Sequence, residues 1–425
     1  MRIVLCKGQF HGPISGADET LVTYATQLRA AGHEVSVLLM YPHAQDDQYY
    51  LRLREAGVPV SAIASYSIGT SLGAGRRLTL GLLKRLPSSQ SRIRHNAQKI
   101  ASGVAARYYK QCCEHLRAAA DLVHVLTPDP SAMVIIRAAH AVGVPVIYQE
   151  LGTPYHPPDF EAFYEHFTTV LPLCTEVAAL SPLLAQECHE KLPPSRRLSV
   201  LPIMAEVLRN GSGHERLRPR EATFGFAARI ESLKGPVVLA EAFAAVLQKS
   251  PETQLKIAGA GSEKRRLVER IGELGIGHRC EFSGIYTQPG QKSAFMKSLD
   301  VFVLPSLTEG TPNCIAEAMS HGLPVIASAV GGIPDVVTAE TGILVPPGDA
   351  AALAQAMLRL AQDATLRARM GEAGLERYKK LFSPGAVLPV MLSTYKRVAG
   401  RNGSNGASEA NQNGHAHPWM KLRTE

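Results

Sequence analysis

Hydrophobic and polar positions alternate along the chain in a pattern that predicts strands followed by helices. The apolar stretch MRIVLC leads through the polar, glycine-rich KGQFHGPISGADET into LVTYATQLRAAG, which has helical spacing, and then into the strand-like HEVSVLL. The alternation returns at DLVHVL, a following helical stretch and VPVIYQE. Strand, helix and strand in succession indicate βαβ units, and these predict a parallel sheet.

A second α/β block follows a stretch without periodicity. Residues 193–220 mix Pro, Gly and charge, which is typical of a linker. Beyond them, TFGFAARI, QLKIAGAG, CEFSG, DVFVLPS and PVIAS predict strands separated by helices. We therefore predict two facing Rossmann-like α/β domains with parallel sheets and a cleft between them, since ligands of such sheets bind beyond the carboxyl ends of the strands.

The same pattern predicts the division of the chain. It predicts an N-terminal Rossmann-like domain over 1–200 and a C-terminal Rossmann-like domain over 201–385. A helix over 386–400 is expected to pack back on the N-terminal domain. Residues 401–425, rich in Gly, Asn and Ser, predict a disordered tail.

Composition narrows the class of protein. A chain of 425 residues with 45% hydrophobic positions is long enough for about two or three domains with their own cores. It contains no run near the roughly 20 apolar residues of a spanning helix, and its first residues show no small-residue cleavage site, so we expect a cytoplasmic protein. Seven cysteines without a CxxC pair predict reduced thiols.

The net charge of +8 predicts an anionic partner. Between Ser65 and Lys110 there are nine Lys or Arg residues and no acid, and RRLTLGLLKRL predicts either an amphipathic helix on anionic lipid or a solvated basic loop. Nucleic-acid binding would require aromatic platforms or a reading helix among these basic residues. Because the segment offers only three tyrosines, we expect no nucleic-acid partner and a possible peripheral association with the inner face of a membrane.

One stretch, LPSLTEGTPNCIAEAMSHGLPVIAS, carries candidate chemistry. Thr311 is predicted to cap a helix, with Pro312 at its first position and Gly322 at its end. The amides at 310–313 would then point beyond the end of the strand DVFVLPS. A helix N-terminus in this position is typical of a phosphate or carboxylate site.

Two acids, Glu309 and Glu317, flank this helix start. They would repel an anion unless they face another part of the ligand, and paired hydroxyls suit carboxylate acceptors. A nucleotide sugar carries both diphosphate and hydroxyls. The alternative for either residue is an ordinary acid favoured by the helix dipole.

The segment EGTPNCIAEAMSHGLPVIASAVGGIPDVV closely resembles the Glu-x7-Glu segment of retaining glycosyltransferases of family 4, which have the GT-B fold. The resemblance extends over most of the chain through GPISGADETLVTYATQLRAAGHEVSVL, FAARIESLKGPVVLAEAF, LKIAGAGSEKRRL and TGILVPPGD. It implies transfer of a sugar from a UDP-sugar or GDP-sugar to a saccharide or polyprenyl-linked acceptor, in polysaccharide or glycan biosynthesis. It also implies that the domain over 1–200 binds the acceptor and the domain over 201–385 binds the nucleotide-sugar donor. An epimerase of the same fold is the alternative enzyme, because it would bind the same donor without an acceptor.

The resemblance also implies residue roles. Arg229 and Lys234 match the cations that hold the donor diphosphate, Glu317 the ribose-binding acid, and Glu309 the acid that contacts the transferred sugar. The implied donor site is completed by Gly16, Gly310, Thr311, Pro312 and Asn313, although Gly16 would equally suit any tight βα turn. No Asp-x-Asp triplet is present, so we expect the cations and loop amides to replace a metal, with no cofactor.

The chain departs from the family pattern on the acceptor side. The family usually carries a His-x-His after the strand DLVHVL, but here His124 is followed by Leu126 at the second position. Leu151 likewise stands where a histidine often closes the next strand. We predict His124 as a catalytic candidate and Glu150 and His156 as acceptor-side candidates, although a lone histidine equally suits a packed or exposed position.

Overall fold

A computed structural model describes residues 1–12, 14–64, 106–126, 128–152, 161–192, 197–206, 222–286 and 288–400. The predicted tail over 401–425 and most of the basic segment lie outside these ranges. Within them, the strands form two parallel sheets of seven and six strands, which confirms the predicted pair of Rossmann-like domains. All seven cysteines are free thiols, as their spacing predicts.

The N-terminal sheet has the strand order β3-β2-β1-β4-β5-β6-β7. Its strands are β1 (Arg2–Lys7), β2 (Glu34–Leu39), β3 (Val60–Ala62), β4 (Leu122–Leu126), β5 (Val146–Glu150), β6 (Glu176–Ala179) and β7 (Leu198–Val200). Its helices are α1 (Gly16–Ala30), α2 (Gln48–Glu55), α3 (106–119), α4 (Pro130–Ala141), α5 (Glu161–Thr168) and α6 (Pro182–Lys191). The central strands are buried on both faces, as expected when helices cover a parallel sheet.

The C-terminal sheet has the order β10-β9-β8-β11-β12-β13. Its strands are β8 (Thr223–Ala227), β9 (Gln254–Ala258), β10 (Cys280–Gly284), β11 (Val301–Leu304), β12 (Val325–Ser328) and β13 (Gly342–Val345). Its helices are α7 (Pro236–Leu247), α8 (Lys264–Glu273), α9 (Pro289–Lys297), α10 (Asn313–Ser320), α11 (Ile333–Val336), α12 (Ala350–Gln362) and α13 (Ala364–Leu381). No described helix has the length and apolar character needed to cross a bilayer.

The linker predicted over 193–220 is wrong in part. Leu198–Val200 forms β7 and pairs in parallel with β6. Leu201, Ile203 and Met204 then follow with almost no exposed surface. The short apolar run LSVLPIM was obscured by its Pro-, Gly- and charge-rich neighbours. Its first three residues become a strand through pairing with β6, and the residues after them are buried outside the strand.

The last described helix, α14 (Pro384–Ala399), lies against the N-terminal sheet. Its Met391 and Tyr395 are completely buried in a cluster that includes Leu21 of α1 and Leu122 of β4. Arg397 makes a bidentate ion pair with the fully buried Glu176 carboxylate of β6, at 2.9 and 2.8 Å. Helix α14 therefore contributes to the core of the N-terminal domain.

Candidate functional site

A cavity of about 290 Å³ lies between the two domains, at the carboxyl ends of their sheets. The N-terminal side contributes the start of α1 and part of α2, and the C-terminal side contributes the loops after β8, β10 and β11. Of the predicted site residues, the cavity wall includes Gly16, Arg229, Lys234, Glu309, Gly310, Thr311, Pro312, Asn313 and Glu317. The structure therefore brings the whole predicted donor set together.

Lys234 reaches the cavity from a short 3₁₀ turn, Ser232–Lys234, that precedes α7. Gly235 ends this turn with φ +66°, and a Cβ there would lie 2.1 Å from the Pro305 carbonyl oxygen, so only glycine fits. Pro236 then opens α7 at a position where its missing N–H costs nothing. Arg229, exposed at the cavity wall, follows β8 on the same connection.

Glu309 is held by two donors. Its Oε1 accepts from Lys234 Nζ at 2.5 Å and from Ser306 Oγ at 2.8 Å, and the residue is 8% exposed. The carboxylate is therefore oriented by neighbours of the same domain, with a cation directly beside it. This arrangement places a positive and a negative group at one end of the cavity.

The start of α10 differs from the prediction. Pro312 occupies the N-cap position rather than the first helical position, and no side chain caps the helix. Thr311 Oγ1 is buried without a hydrogen-bond partner among the described residues. The helix ends as predicted, since Gly322 follows it with φ +66°. The uncapped N-terminal amides of α10 remain compatible with an anion.

Glu317 lies one helical turn further along α10 and belongs to a charge network that spans both domains. Lys292 Nζ of α9 lies 2.6 Å from Glu317 Oε1 and 3.5 Å from Glu19 Oε1 of α1. Arg52 of α2 makes a bidentate ion pair with Glu19, at 2.7 and 3.0 Å. Two cations and two anions are therefore paired at the cavity wall.

In this network, the charges of the ion-pair partners outweigh the effect of burial on the pKa values of Glu19 and Lys292. Burial acts to raise the pKa of Glu19, but Lys292 and Arg52 together lower it to about 2. Burial acts to lower the pKa of Lys292, but Glu317 and Glu19 raise it above its ordinary value. Both groups are therefore ionised at neutral pH. Sequence reasoning missed Glu19, Arg52 and Lys292, because no local motif marks them.

The two domains also touch directly at the start of α1 and α10. Asn313 Nδ2 donates to the Gly16 carbonyl oxygen at 2.8 Å and to Thr20 Oγ1 at 3.2 Å. Gly310 approaches the opposite domain so closely that a Cβ there would lie 2.2 Å from the Leu151 carbonyl oxygen. Three predicted donor residues, Gly16, Gly310 and Asn313, are thus also interdomain contacts.

The catalytic prediction for His124 is corrected by its position. His124 has no exposed surface and lies on β4 beneath α14, outside the cavity wall. Its Nδ1 shares a 2.6 Å hydrogen bond with the Tyr395 hydroxyl, and its ring stacks near Tyr24. Burial lowers the pKa of His124 to about 3, so it is a neutral core residue at physiological pH.

The acceptor-side candidates do not form a site in the described residues. Glu150, at the end of β5, is 2% exposed and lies outside the cavity wall, where the Tyr148 hydroxyl donates to its Oε2 at 2.6 Å. Burial raises the pKa of Glu150 to about 7. His156 lies outside the described residues.

The loop after β1 is a further feature that the sequence patterns did not single out. It is anchored by a fully buried ion pair between Lys7 and Asp18, and the His11 backbone N–H donates to Asp18 Oδ2 at 2.7 Å. Burial, together with the charges of Lys7 and Arg229, lowers the pKa of His11.

Two family models match the chain in succession. The glycosyl transferase 4-like domain matches residues 15–203, and glycosyl transferases group 1 matches residues 212–377. Each family match covers one of the two domains described above, and together they include most of the cavity wall. The chain belongs to the group 1 glycosyltransferases of family 4, with the GT-B fold.

Curated relatives resemble part of the chain. The D-inositol 3-phosphate glycosyltransferase of Corynebacterium glutamicum is 30% identical over 230 residues, which are 49% of this chain and 54% of that protein. The phosphatidyl-myo-inositol mannosyltransferase of Mycobacterium leprae is 34% identical over 171 residues, or 40% of this chain and 44% of that protein. The matches with such relatives thus span about a third to a half of their length.

Solved structures show the same fold over nearly the whole chain. Anabaena HepE in complex with UDP and glucose has a TM-score of 0.73 at 19% identity, covering 93% of this chain and 99% of that one. Sucrose-phosphate synthase from Thermosynechococcus elongatus has a TM-score of 0.71 at 20% identity, covering 94% and 99%. At these identities the likeness shows the fold alone.

Proposed function

We propose that this protein transfers a sugar, with retention of anomeric configuration, from a nucleoside-diphosphate sugar to a hydroxyl-bearing acceptor. The observation that carries the proposal is the composition of the cavity wall: two cations, Arg229 and Lys234, and the uncapped start of α10 share this wall with two buried acids, Glu309 and Glu317. A diphosphate suits the cations and amides, and hydroxyls on either side of it suit the carboxylates.

Within this proposal, the chain's own residues stabilise the departing diphosphate. Negative charge builds on the leaving oxygen as the glycosidic bond breaks, and preorganised donors lower the barrier most when they are aimed at that charge. Arg229, Lys234 and the backbone N–H groups of Gly310, Thr311 and Asn313 are the proposed donors. Glu317 is proposed to accept from the ribose hydroxyls, and Glu309 from hydroxyls of the transferred sugar.

A transfer assay tests the reaction. UDP-, GDP- and ADP-sugars are incubated with saccharides, polyprenyl phosphates, inositol phosphate and phosphatidylinositol, the last two because the names of relatives suggest inositol acceptors. We expect a product only when donor and acceptor are both present, with the donor's anomeric configuration preserved by NMR. A donor converted without any acceptor would support the epimerase instead, and an inverted product would refute retention.

We also propose that the transfer requires no metal; the proposal is supported by Arg229 and Lys234, which supply positive charge at the cavity wall. Activity is measured after dialysis against EDTA and again after Mg²⁺ or Mn²⁺ is restored. We expect the same rate within about twofold. A loss with EDTA that either metal reverses would contradict this part of the proposal.

We propose that the protein binds an anionic membrane surface in order to reach a lipid-linked acceptor. A cytoplasmic enzyme that uses a lipid-linked acceptor would benefit from the basic segment 65–110, which lies largely outside the described residues. Each basic charge near an anionic surface contributes about 1 kcal/mol. We expect the full chain to co-sediment with vesicles containing phosphatidylglycerol and to remain in solution with neutral phosphatidylcholine vesicles. Equal binding to both would exclude the electrostatic association.

A further inference from the structure

The first turns of α1 and α10 face each other across the domain boundary and are joined at two levels. The first level is the Asn313 side chain, which donates to the Gly16 carbonyl oxygen. The second, one turn deeper, is Lys292, which stands between Glu317 of α10 and Glu19 of α1. Glu317, the residue proposed to bind ribose, is therefore linked to the N-terminal domain through a single side chain, that of Lys292.

Lys292 is shared unequally between its two partners. Its Nζ lies 2.6 Å from Glu317 Oε1 but 3.5 Å from Glu19 Oε1, while Glu19 is also held by both terminal nitrogens of Arg52. The side chains of the four residues are only 10–24% exposed, so solvent screens them weakly. A change in charge density at one carboxylate must therefore alter the strength of the ion pair between Lys292 and the other carboxylate.

Hydroxyl donors at Glu317 would cause such a change. A hydroxyl that donates to a carboxylate disperses its negative charge and reduces its hold on a neighbouring ammonium group. The Lys292 charge would then act more strongly on Glu19, which belongs to the N-terminal domain. Contact between the domains and occupation of Glu317 would thus favour each other, as reciprocal coupling requires.

We propose that Lys292 is a positioning residue that couples engagement of the donor's ribose hydroxyls at Glu317 to association of the two domains through Glu19. The inference rests on the proposed function, because it requires a nucleotide whose ribose meets Glu317. Lys292 itself need not touch the reacting sugar. Its role is to strengthen its own interaction with Glu19 of the N-terminal domain when ribose hydroxyls bind Glu317 of the C-terminal domain.

Paired ligands and variants test this coupling. Dissociation constants are measured by calorimetry for UDP, GDP and their 2′,3′-dideoxy forms with the wild-type chain and with Glu19→Gln. We expect Glu19→Gln to weaken binding of the better ribonucleotide about tenfold and to leave binding of its dideoxy form within about twofold. Small-angle scattering should show compaction with the ribonucleotide only, and only in the wild-type chain.

A third variant separates coupling through Lys292 from a direct contact of Glu19 with ribose. In a Lys292→Met background, the effect of Glu19→Gln should become the same for both nucleotide forms, whereas a direct contact would preserve the difference. Glu241→Gln is the matched control, because Glu241 pairs with Arg270 within the C-terminal domain. Circular dichroism and melting temperature establish that each variant folds.

The outcomes distinguish the inference from the proposed function. Equal weakening of ribose and dideoxy forms by Glu19→Gln in the wild-type background, or a difference that survives Lys292→Met, overturns the coupling while nucleotide binding stands. If the wild-type chain binds none of UDP, GDP, ADP or their sugars, the proposed function fails and the coupling fails with it.

Discussion

At the residue scale, Lys234 combines two roles that could conflict. Its ammonium group lies 2.5 Å from the Glu309 carboxylate and also borders the space proposed for a diphosphate. Ser306 provides Glu309 with a second donor, so the carboxylate remains hydrogen-bonded when the lysine is absent. Because removal of Lys234 also leaves a buried carboxylate without its cation, the melting temperature is needed to separate a catalytic effect of Lys234 from an effect on folding.

We predict that Lys234→Ala lowers kcat by about 10² to 10³, because it removes one preorganised donor from the leaving group. The measurement is steady-state transfer with the best donor and acceptor pair. Lys249→Ala, at an exposed position beyond α7, is the matched control and should retain normal kcat. Near-normal turnover by Lys234→Ala, with an unchanged melting temperature, would exclude the proposed phosphate site.

Glu150 provides a second test at this scale, through pH. Burial raises the pKa of its carboxyl group from the ordinary 4.5 to about 7. Between these values the folded protein holds a proton that the unfolded chain has released, so this group makes stability fall as pH rises. Above pH 7, ionisation of Glu150 lowers the free energy of unfolding by about 3 kcal/mol.

We therefore expect Glu150→Gln, which lacks this titration, to gain stability relative to the wild-type chain as pH rises from 5 to 8. The free energy of unfolding from urea denaturation at the two pH values gives the comparison. Glu165→Gln, at an exposed carboxylate, should show no such trend. A difference between Glu150→Gln and wild type that stays constant with pH would contradict the raised pKa.

At the scale of elements, α14 buries one polar residue of the N-terminal sheet and neutralises another. Its Tyr395 covers His124 and converts a candidate catalytic histidine into a core residue. Its Arg397 neutralises Glu176, whose side chain is completely buried. The helix is thus attached by apolar packing, one buried hydrogen bond and one bidentate ion pair.

Removal of Arg397 from its ion pair with Glu176 should lower the free energy of unfolding. Arg397→Met leaves the Glu176 carboxylate buried without its cation, and such losses typically cost about 3 kcal/mol or more. Since Arg397 is itself 29% exposed, we expect the lower end of this range. Urea denaturation measures the change, and Lys396→Met, at the exposed neighbouring position, should be nearly neutral. A neutral Arg397→Met would mean that the ion pair with Glu176 does not stabilise the attachment of α14.

At the scale of the whole molecule, the cavity is lined by both domains, so a bound donor should stabilise them together. A ligand at a hundred times its Kd stabilises the folded state by about 2.7 kcal/mol. We expect one nucleotide sugar among UDP, GDP and ADP derivatives to raise the melting temperature by several degrees in a single transition. Glu317→Gln should reduce that shift. A shift confined to one of two separate transitions would show that only one domain binds the ligand.

Local spacing determined much of this protein. Strand and helix formation depends on neighbours within a few residues, so the alternation of apolar and polar positions predicted both parallel sheets. The acids at 309 and 317 and the Gly-Thr-Pro between them lie on one loop and one helix, and they could therefore be predicted as a group. The short strand β7 was missed because its apolar run is too brief to stand out from its neighbours.

Only the tertiary structure decided which distant residues meet. Glu19, Arg52, Lys292 and Glu317 come from four helices in two domains, and no sequence interval relates them. His124 has the sequence position of a candidate catalytic residue, but Tyr395, 271 residues away, buries it. The physical reason is that hydrogen bonding within helices is local, whereas desolvation and pairing of charge depend on the elements that pack together.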